Sequence, residues 1–208
     1  EVAPNVLAES LPPVPESYRN TPYVFLANTH PAAQMSLRES FPDAKLVVAD
    51  TMDLWINTAL DELKALLKQI DGLVLNDGEA VLLTGETNMV TASKKIIEMG
   101  PRFVVIKKGE HGCLLQHADG VAVMHAYPAA NVVDPTGAGD SFAGGMMGYL
   151  AEVDRPDLPA IKRALAYGTI VASYNIESFT LERLKEISRR DIDQRLAEYT
   201  DIVQFDGV

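Results

Sequence analysis

The chain has 208 residues, of which 47% are apolar, an ordinary share for a globular protein that is long enough to bury a core. Its 29 acidic residues against 18 basic residues give a net charge of −11, so it lacks the basic surface that nucleic-acid binding needs, and no run approaches the ~20 apolar residues of a membrane span. One cysteine, Cys113, excludes an internal disulfide, and with no recognisable signal peptide we expect a cytoplasmic protein that binds neither nucleic acids nor membranes.

Residues 1–22 contain five of the twelve prolines and are predicted to be an irregular lead-in to one domain over residues 23–208. In that domain, short apolar runs typical of buried strands alternate with amphipathic helices. The predicted strands are 23–27, 46–49, 73–75, 103–106, 114–116, 121–125 and one that ends at 132–133. The predicted helices are 31–40, 58–70 with Thr58 as its cap, 88–99, 141–151, 159–174, 181–188 and 192–199.

The alternation of strands and helices predicts a fold class. Parallel strands joined by right-handed helical crossovers form a mostly parallel sheet covered by helices, a three-layer α/β/α sandwich. In such sheets, ligands bind beyond the carboxyl ends of the strands. We therefore expect the functional residues directly after the predicted strands.

A turn of small residues lies between the last predicted strand and the helix that follows it. Gly137, Ala138 and Gly139 let the backbone turn sharply and point several N–H groups one way, and these add to the positive end of the helix dipole. Asp140 follows at the helix start, where a carboxylate beside a phosphate could take the proton of an attacking hydroxyl. An aspartate there often serves only as a cap, and neither a dinucleotide fingerprint nor a P-loop is present, so these residues alone leave both interpretations open.

The whole segment 134–147, including two glycines inside the helix, resembles the second signature of the PfkB (ribokinase-like) carbohydrate and nucleoside kinases. Glycine inside a helix costs about 1 kcal/mol, which makes the match specific. The resemblance implies a ribokinase-like fold in which Asp140 is the catalytic base. It also implies that the backbone N–H groups of Gly137, Ala138, Gly139 and Asp140 form an anion hole.

Asn76 and Glu79 follow the predicted strand 73–75 and resemble the Asn-x-x-Glu motif of the same family. The resemblance implies that Asn76 contacts a phosphate or its bound water and that Glu79 orders a hydrated Mg²⁺ ion. Magnesium keeps several waters and takes few carboxylates, so the chemistry is reasonable. Taken alone, these residues are more typical of a turn followed by a glutamate at a helix start.

Lys107, Gly109 and Gly112 follow the next predicted strand and resemble the family's nucleotide loop. The resemblance implies that Lys107 neutralises ATP phosphates and that the two glycines let the nucleotide approach the backbone. It further implies that adenine lies between this loop and a helix that contains Leu165 and Gly168. An ordinary basic hairpin turn is the alternative.

Asp134 and Thr136 match the first half of the family's monovalent cation site, which binds K⁺. The second half, an Arg-x-Gly-Ala-like run, is replaced in this chain around residues 174–179. The resemblance therefore implies ATP and Mg²⁺ as cofactors, and it leaves K⁺ open.

The resemblance implies transfer of the ATP γ-phosphoryl group to a hydroxyl of a sugar or nucleoside. It covers residues 20 to 190 approximately, without a counterpart of the family's N-terminal sugar-contacting part and β lid, so we expect a homo-oligomer that associates through an exposed sheet edge. A non-catalytic nucleotide-binding or partner-binding relative is the alternative. A relative of thiamine-precursor or pyridoxal kinases is a third, which the form of segment 134–140 disfavours.

Overall fold

The computed structural model describes residues 12–204, which divide into two compact units, one up to Val105 and one from Ile106 onward. The strands are β1 Tyr23–Leu26, β2 Leu46–Asp50, β3 Gly72–Asn76, β4 Phe103–Lys107, β5 Cys113–His117 and β6 Gly120–Met124. They are hydrogen-bonded in the order β1-β2-β3-β4-β5-β6 into a mostly parallel sheet, which confirms the predicted α/β class. Residues 1–11 of the predicted lead-in lie outside the described residues, and residues 12–22 contain only a 3₁₀ turn at Glu16–Tyr18.

Nine helices are present within residues 12–204. They are α1 Pro31–Glu39, α2 Asp53–Thr58, α3 Leu60–Leu67, α4 Asp77–Thr84, α5 Met89–Glu98, α6 Ala138–Val153, α7 Leu158–Asn175, α8 Glu182–Glu186 and α9 Arg189–Val203. None of these helices combines the length and the apolar character that a bilayer-crossing segment needs.

In the first unit, three parallel strands carry the core. Strand β1 pairs with β2 from Tyr23 opposite Leu46, and β2 pairs with β3 from Val48 opposite Gly72. Every residue of β2 is buried, as expected for a strand covered on both faces. The buried Gln34 of α1 donates from Nε2 to the backbone oxygens of residues 26, 27 and 50, so it ties α1 to the carboxyl ends of β1 and β2.

In the second unit, β5 and β6 form the predicted antiparallel hairpin, with His117 opposite Gly120. Helices α6 and α7 pack closely because of two glycines at their contact. A Cβ atom added at Gly145 would lie 2.9 Å from the Val171 side chain, and one at Gly168 would lie 2.6 Å from the backbone oxygen of Phe142. Of the two helix glycines in segment 134–147, Gly145 therefore has a packing reason, whereas a Cβ atom at Gly144 would meet nothing within 4 Å.

The last helix, α9, lies outside the segment that resembles the kinase family, and it packs on α7. Leu196 and Tyr199 of α9 are buried in one apolar cluster with Tyr167, Ile170 and Tyr174 of α7. The Tyr199 hydroxyl donates to the backbone oxygen of His125 at 2.7 Å, so this buried hydroxyl has a partner.

The predicted helix 58–70 is present as α3, but its predicted start and the capping role of Thr58 are wrong. The chain forms two helices, α2 and α3, which meet at Ala59, where φ is −142° and ψ is 41°. Thr58 is the last residue of α2, and its hydroxyl donates to the backbone oxygen of Leu54 one turn earlier. The apolar spacing gave no sign of α2 or α4, since both are short helices next to a strand end.

Two boundaries near the glycine turn also differ from the sequence prediction. Residues 132–133 form no strand, because the N–H groups of Val133 and Asp134 both donate to the backbone oxygen of Ile176 at the end of α7. Helix α6 begins at Ala138 and not at Ser141, so the turn residues themselves make its first turn.

Candidate active site

The glycine turn leads directly into α6. Gly137 is the N-cap of the helix with φ 80° and ψ 0°, a left-handed conformation that glycine adopts without steric cost. The N–H of Ala138 donates to the backbone oxygen of Pro135, and the first helical bond runs from the N–H of Ser141 to the oxygen of Gly137. The first N–H groups of a helix have no partner inside it, so this turn can bind an anion.

Asp140 is exposed in the first turn of α6. Within residues 12–204, its carboxylate makes no hydrogen bond or ion pair, and the helix has no side-chain cap. The capping role that the sequence left open is therefore not the one this side chain performs. An exposed carboxylate beside a helix N-terminus has the position that a proton acceptor for an incoming hydroxyl needs.

Lys107, the last residue of β4, lies against the glycine turn. A Cβ atom built on Gly139 would be 2.9 Å from the Lys107 Nζ atom. The absence of a side chain at Gly139 therefore makes room for the ammonium group. The second unit thus brings together three features that the sequence analysis selected, namely the cation of Lys107, the glycine turn and the carboxylate of Asp140.

Asp134 holds the chain just before the turn. Its Oδ1 atom accepts from the N–H of Thr136 at 2.9 Å. This backbone hydrogen bond, followed by one from the Thr136 side chain, lowers the pKa of the Asp134 carboxyl group. Asp134 and Thr136, the two residues predicted for a monovalent cation site, are therefore hydrogen-bonded to each other. Their role toward K⁺ stays a prediction.

The predicted nucleotide loop is a 3₁₀ turn at Gly109–His111 between β4 and β5. Gly112 has φ 85°, and a Cβ atom there would lie 1.9 Å from the backbone oxygen of Met124, so packing alone requires glycine. Gly109 has φ 55° with open space around it, which leaves its face accessible. Only Gly109 thus retains room for a bound group, and the role of both glycines toward ATP stays a prediction.

Leu165 and Gly168, predicted to lie against adenine, belong to the packed part of α7. Leu165 is fully buried, and the position of the missing Gly168 side chain is filled by Phe142. Packing accounts for both residues, and their contact with adenine stays a prediction.

Asn76 and Glu79 belong to the first unit, at the end of β3 and the start of α4. They form a reciprocal capping box, in which Asn76 Oδ1 accepts from the N–H of Glu79 and Glu79 Oε2 accepts from the N–H of Asn76, both at 2.8 Å. Among the described residues no three His, Cys, Asp or Glu side chains converge on one metal position. One fixed carboxylate and one amide oxygen fit Mg²⁺ bound through its waters, and do not fit an ion held wholly by the protein.

The sequence analysis missed a residue at the end of α7 that contacts the glycine turn. Asn175, the last residue of α7, is 1% exposed, donates from Nδ2 to the Thr136 oxygen at 2.8 Å and accepts the Ser141 hydroxyl at 2.9 Å. An asparagine at the end of a mostly apolar helix was the only sequence signal. Such a signal does not reveal a partner that lies 34 or 39 residues away.

Comparison with known proteins found similar kinases. A cytidine kinase from Thermococcus kodakarensis is 30% identical over 146 residues, which cover 66% of this chain and 51% of that kinase. An aminoimidazole riboside kinase from Salmonella enterica, solved with aminoimidazole riboside and an ATP analog, aligns with a TM-score of 0.71 at 19% identity over 83% of this chain and 62% of that one. A ribokinase II from E. coli in complex with ATP and Mg²⁺ aligns with a TM-score of 0.65 at 22% identity over 80% and 53%.

The chain thus spans about half the length of that cytidine kinase and a smaller share of the other curated relatives. The solved structures confirm the predicted ribokinase-like fold. The family model for pfkB family carbohydrate kinases matches residues 25–182, well over half of the chain. The match includes the strand ends, the glycine turn and all of α7. The chain belongs to the pfkB carbohydrate kinase family.

Proposed function

We propose that this chain contributes the ATP-side machinery of a kinase that transfers the γ-phosphoryl group to a hydroxyl of a sugar or nucleoside. The observation that carries the proposal is the Asp140 carboxylate, exposed and without a partner among the described residues, in the same helical turn as the glycine-rich anion site. A carboxylate beside a phosphate site repels the ligand, so its presence there is best explained by a use in the reaction. Proton acceptance from an incoming hydroxyl is such a use.

The residues selected in the second unit have two kinds of role in this proposal. The N–H groups of Gly137, Gly139 and Asp140 and the ammonium group of Lys107 stabilise the charge that spreads over the phosphoryl oxygens, whereas the N–H of Ala138 is already bonded to Pro135. Asp140 takes the hydroxyl proton late in the transfer, because a carboxylate is a weak base toward an alcohol.

The first unit supplies the magnesium-ordering residues. Asn76 and Glu79 would hold a hydrated Mg²⁺ through its waters, and the ion, when bound, neutralises phosphate charge. The capping box fixes the orientation of the Glu79 carboxylate, so little conformational entropy is lost when the waters bind.

Two alternatives make different predictions. A nucleotide-binding module without turnover would bind MgATP and release no ADP with any acceptor. A partner-binding relative would neither bind MgATP nor release ADP. The intact set of Lys107, the glycine turn and Asp140 favours the kinase.

The test combines binding with turnover. Calorimetry with ATP, with and without EDTA, should give binding that weakens when Mg²⁺ is removed, and equal heats in both conditions would reject the metal-dependent interpretation. ADP release is then measured with a panel of sugars and nucleosides, on this chain and on a form extended at its N-terminus. MgATP binding without ADP release from either form, with every acceptor, would favour the non-catalytic module. The same samples in sedimentation velocity test the predicted homo-oligomer.

A further inference from the structure

The buried amide of Asn175 connects the two ends of the glycine turn. Its Nδ2 atom donates to the backbone oxygen of Thr136, which precedes Gly137, at 2.8 Å. Its Oδ1 atom accepts from the hydroxyl of Ser141, which follows Asp140, at 2.9 Å. One side chain therefore bonds the residues on both sides of the proposed anion site.

The amide also lies directly against the turn. A Cβ atom built on Gly137 would be 3.6 Å from Asn175 Oδ1 and 3.8 Å from Nδ2, which are ordinary contact distances. The segment that precedes the turn is hydrogen-bonded to the same helix end, because the N–H groups of Val133 and Asp134 donate to the oxygen of Ile176. The end of α7 thus supports the turn through these contacts.

A simpler explanation would be that Asn175 satisfies the end of its own helix. Both hydrogen bonds of its side chain, however, go to segments 39 and 34 residues away along the chain. Ser173, two residues earlier and also buried, has no bond to the turn, since its hydroxyl donates to the oxygen of Ile170 in α7 and accepts from Arg195 of α9. Ser173 is therefore a suitable control for a buried polar residue of the same helix end.

We propose that Asn175 is a positioning residue that holds residues 136–141 so that the N–H groups of Gly137, Gly139 and Asp140 point at the transferred phosphoryl group. This inference rests on the proposed kinase function for its consequence and on the structure for its geometry. A buried amide with two partners resists displacement, because removing either partner leaves a polar group without a hydrogen bond. The N–H groups of the turn are then oriented before the nucleotide arrives, and no reorganisation is needed during the reaction.

The first test reads the turn itself and needs no ligand. Amide hydrogen exchange of Thr136, Ala138 and Ser141, whose N–H groups are hydrogen-bonded within the turn, is compared among the original chain, Asn175→Leu and Ser173→Ala. Asn175→Leu should lower the protection of these amides by about tenfold or more, the effect of one to two lost hydrogen bonds, while Ser173→Ala leaves them unchanged. Equal protection in Asn175→Leu and the original chain would overturn the proposal, as would the same loss in Ser173→Ala.

Asn175→Asp adds a rescue experiment. Protonated aspartic acid can both donate to the Thr136 oxygen and accept from Ser141, whereas the aspartate anion can only accept. The protection factor of the turn in Asn175→Asp should therefore rise toward the original value as the pH falls, and it should not do so in Asn175→Leu. Should Asn175→Leu fail to fold, Ser141→Ala removes one of the two bonds alone and should show a smaller loss confined to the same amides.

Nucleotide binding provides the second readout. The dissociation constant for MgATP should rise about tenfold in Asn175→Leu and stay unchanged in Ser173→Ala. If the original chain does not bind MgATP, the proposed kinase function fails, while the exchange data still decide whether Asn175 positions the turn. If binding is normal in Asn175→Leu although its turn exchanges rapidly, the turn is held by Asn175 but does not bind the nucleotide, and the proposal is overturned.

Discussion

The guanidinium carbon of Arg195 lies 3.4 Å from the centre of the Tyr174 ring, so α9 contacts the last turn of α7 through a stacked cation. The same guanidinium group pairs with Glu177 at 2.7 Å and donates to the Ser173 hydroxyl at 3.0 Å. Its side chain is only 14% exposed, which makes these contacts stronger than those of a surface pair. Helix α9 therefore fixes the helix end that carries Asn175.

Arg195→Ala should lower the free energy of unfolding by about 2 kcal/mol or more, because it leaves the Glu177 carboxylate partly buried without its main partner. Chemical denaturation at neutral pH measures this change. Arg183→Ala is the matched control, since Arg183 lies 5.5 Å from the same ring and is 38% exposed. It should cost less than about 1 kcal/mol. Equal losses in the two variants would contradict a specific brace at Arg195.

Asp140→Asn should lower kcat by about 10²–10⁴-fold in the active kinase, because asparagine cannot accept the hydroxyl proton. The affinity for MgATP should be kept or rise, since a negative charge beside the phosphates is removed. The melting temperature should hardly change, because the carboxylate has no side-chain partner among the described residues.

Asp61→Asn serves as the control for Asp140→Asn. Asp61 is also an exposed acid in the first turn of a helix, α3, and its replacement should leave kcat unchanged. A near-normal kcat in Asp140→Asn would return that carboxylate to a purely electrostatic role at the helix start.

Glu79→Gln separates capping from magnesium ordering. Glutamine can replace glutamate in a capping box, so the free energy of unfolding should change by less than about 0.5 kcal/mol. The loss of charge should nevertheless raise the Mg²⁺ concentration for half-maximal activity several-fold. A Mg²⁺ titration of ADP release measures this value.

Asp77→Asn, two residues earlier on the same exposed helix start, is the control for Glu79→Gln. It should leave the Mg²⁺ titration unchanged. If Glu79→Gln and the original chain titrate alike, Asn76 and Glu79 are a structural cap only.

Cys113 makes stability depend on alkaline pH. Burial raises the pKa of its thiol from 9.0 to about 12. Between these values the unfolded chain loses the thiol proton and the folded chain keeps it, so stability is complete below about pH 9 and falls as the pH rises toward 12. The slope from this group approaches about 1.4 kcal/mol per pH unit.

Urea unfolding of the original chain and of Cys113→Ala at about pH 8, 9 and 10 measures the alkaline effect. Cys113→Ala should remove the slope that begins near pH 9, whatever its effect on absolute stability. The pKa of Tyr199 is also raised to about 12, mainly by burial, so a second slope should persist in both proteins above about pH 10. Parallel slopes over the whole range would show that the thiol titrates normally in the folded chain.

Thr180 has φ 56°, a left-handed conformation that a β-branched side chain rarely adopts. That conformation costs a non-glycine residue about 1–2 kcal/mol, against about 0.5–1 kcal/mol of added chain entropy for glycine. Thr180→Gly should therefore raise the free energy of unfolding by about 0.5 kcal/mol or slightly more. Thr180→Ala, which keeps a Cβ atom, should gain less, and thermal unfolding of both variants distinguishes them.

Local signals in the sequence were sufficient for the elements whose structure depends on neighbouring residues. The antiparallel hairpin around Asp119 and Gly120 was predicted from a turn dipeptide between two apolar runs, and it is confirmed. The turn at Gly137 was predicted from three small residues, and its left-handed φ explains why glycine is needed there. The α/β class followed from the order of strands and helices and is confirmed by the sheet.

The tertiary structure decided what depends on residues distant along the chain. Residues 132–133 have the composition of a strand, yet the N–H groups of Val133 and Asp134 donate to the backbone oxygen of Ile176. No local pattern could indicate this partner. The capping box of Asn76 and Glu79 and the break at Ala59 are, by contrast, local features. The apolar spacing did not predict them, because it does not record backbone geometry. Asn175 is one of several residues with polar groups at the end of α7 by sequence, and only the fold brings its amide against the glycine turn, because α6 and α7 pack closely enough at their glycines.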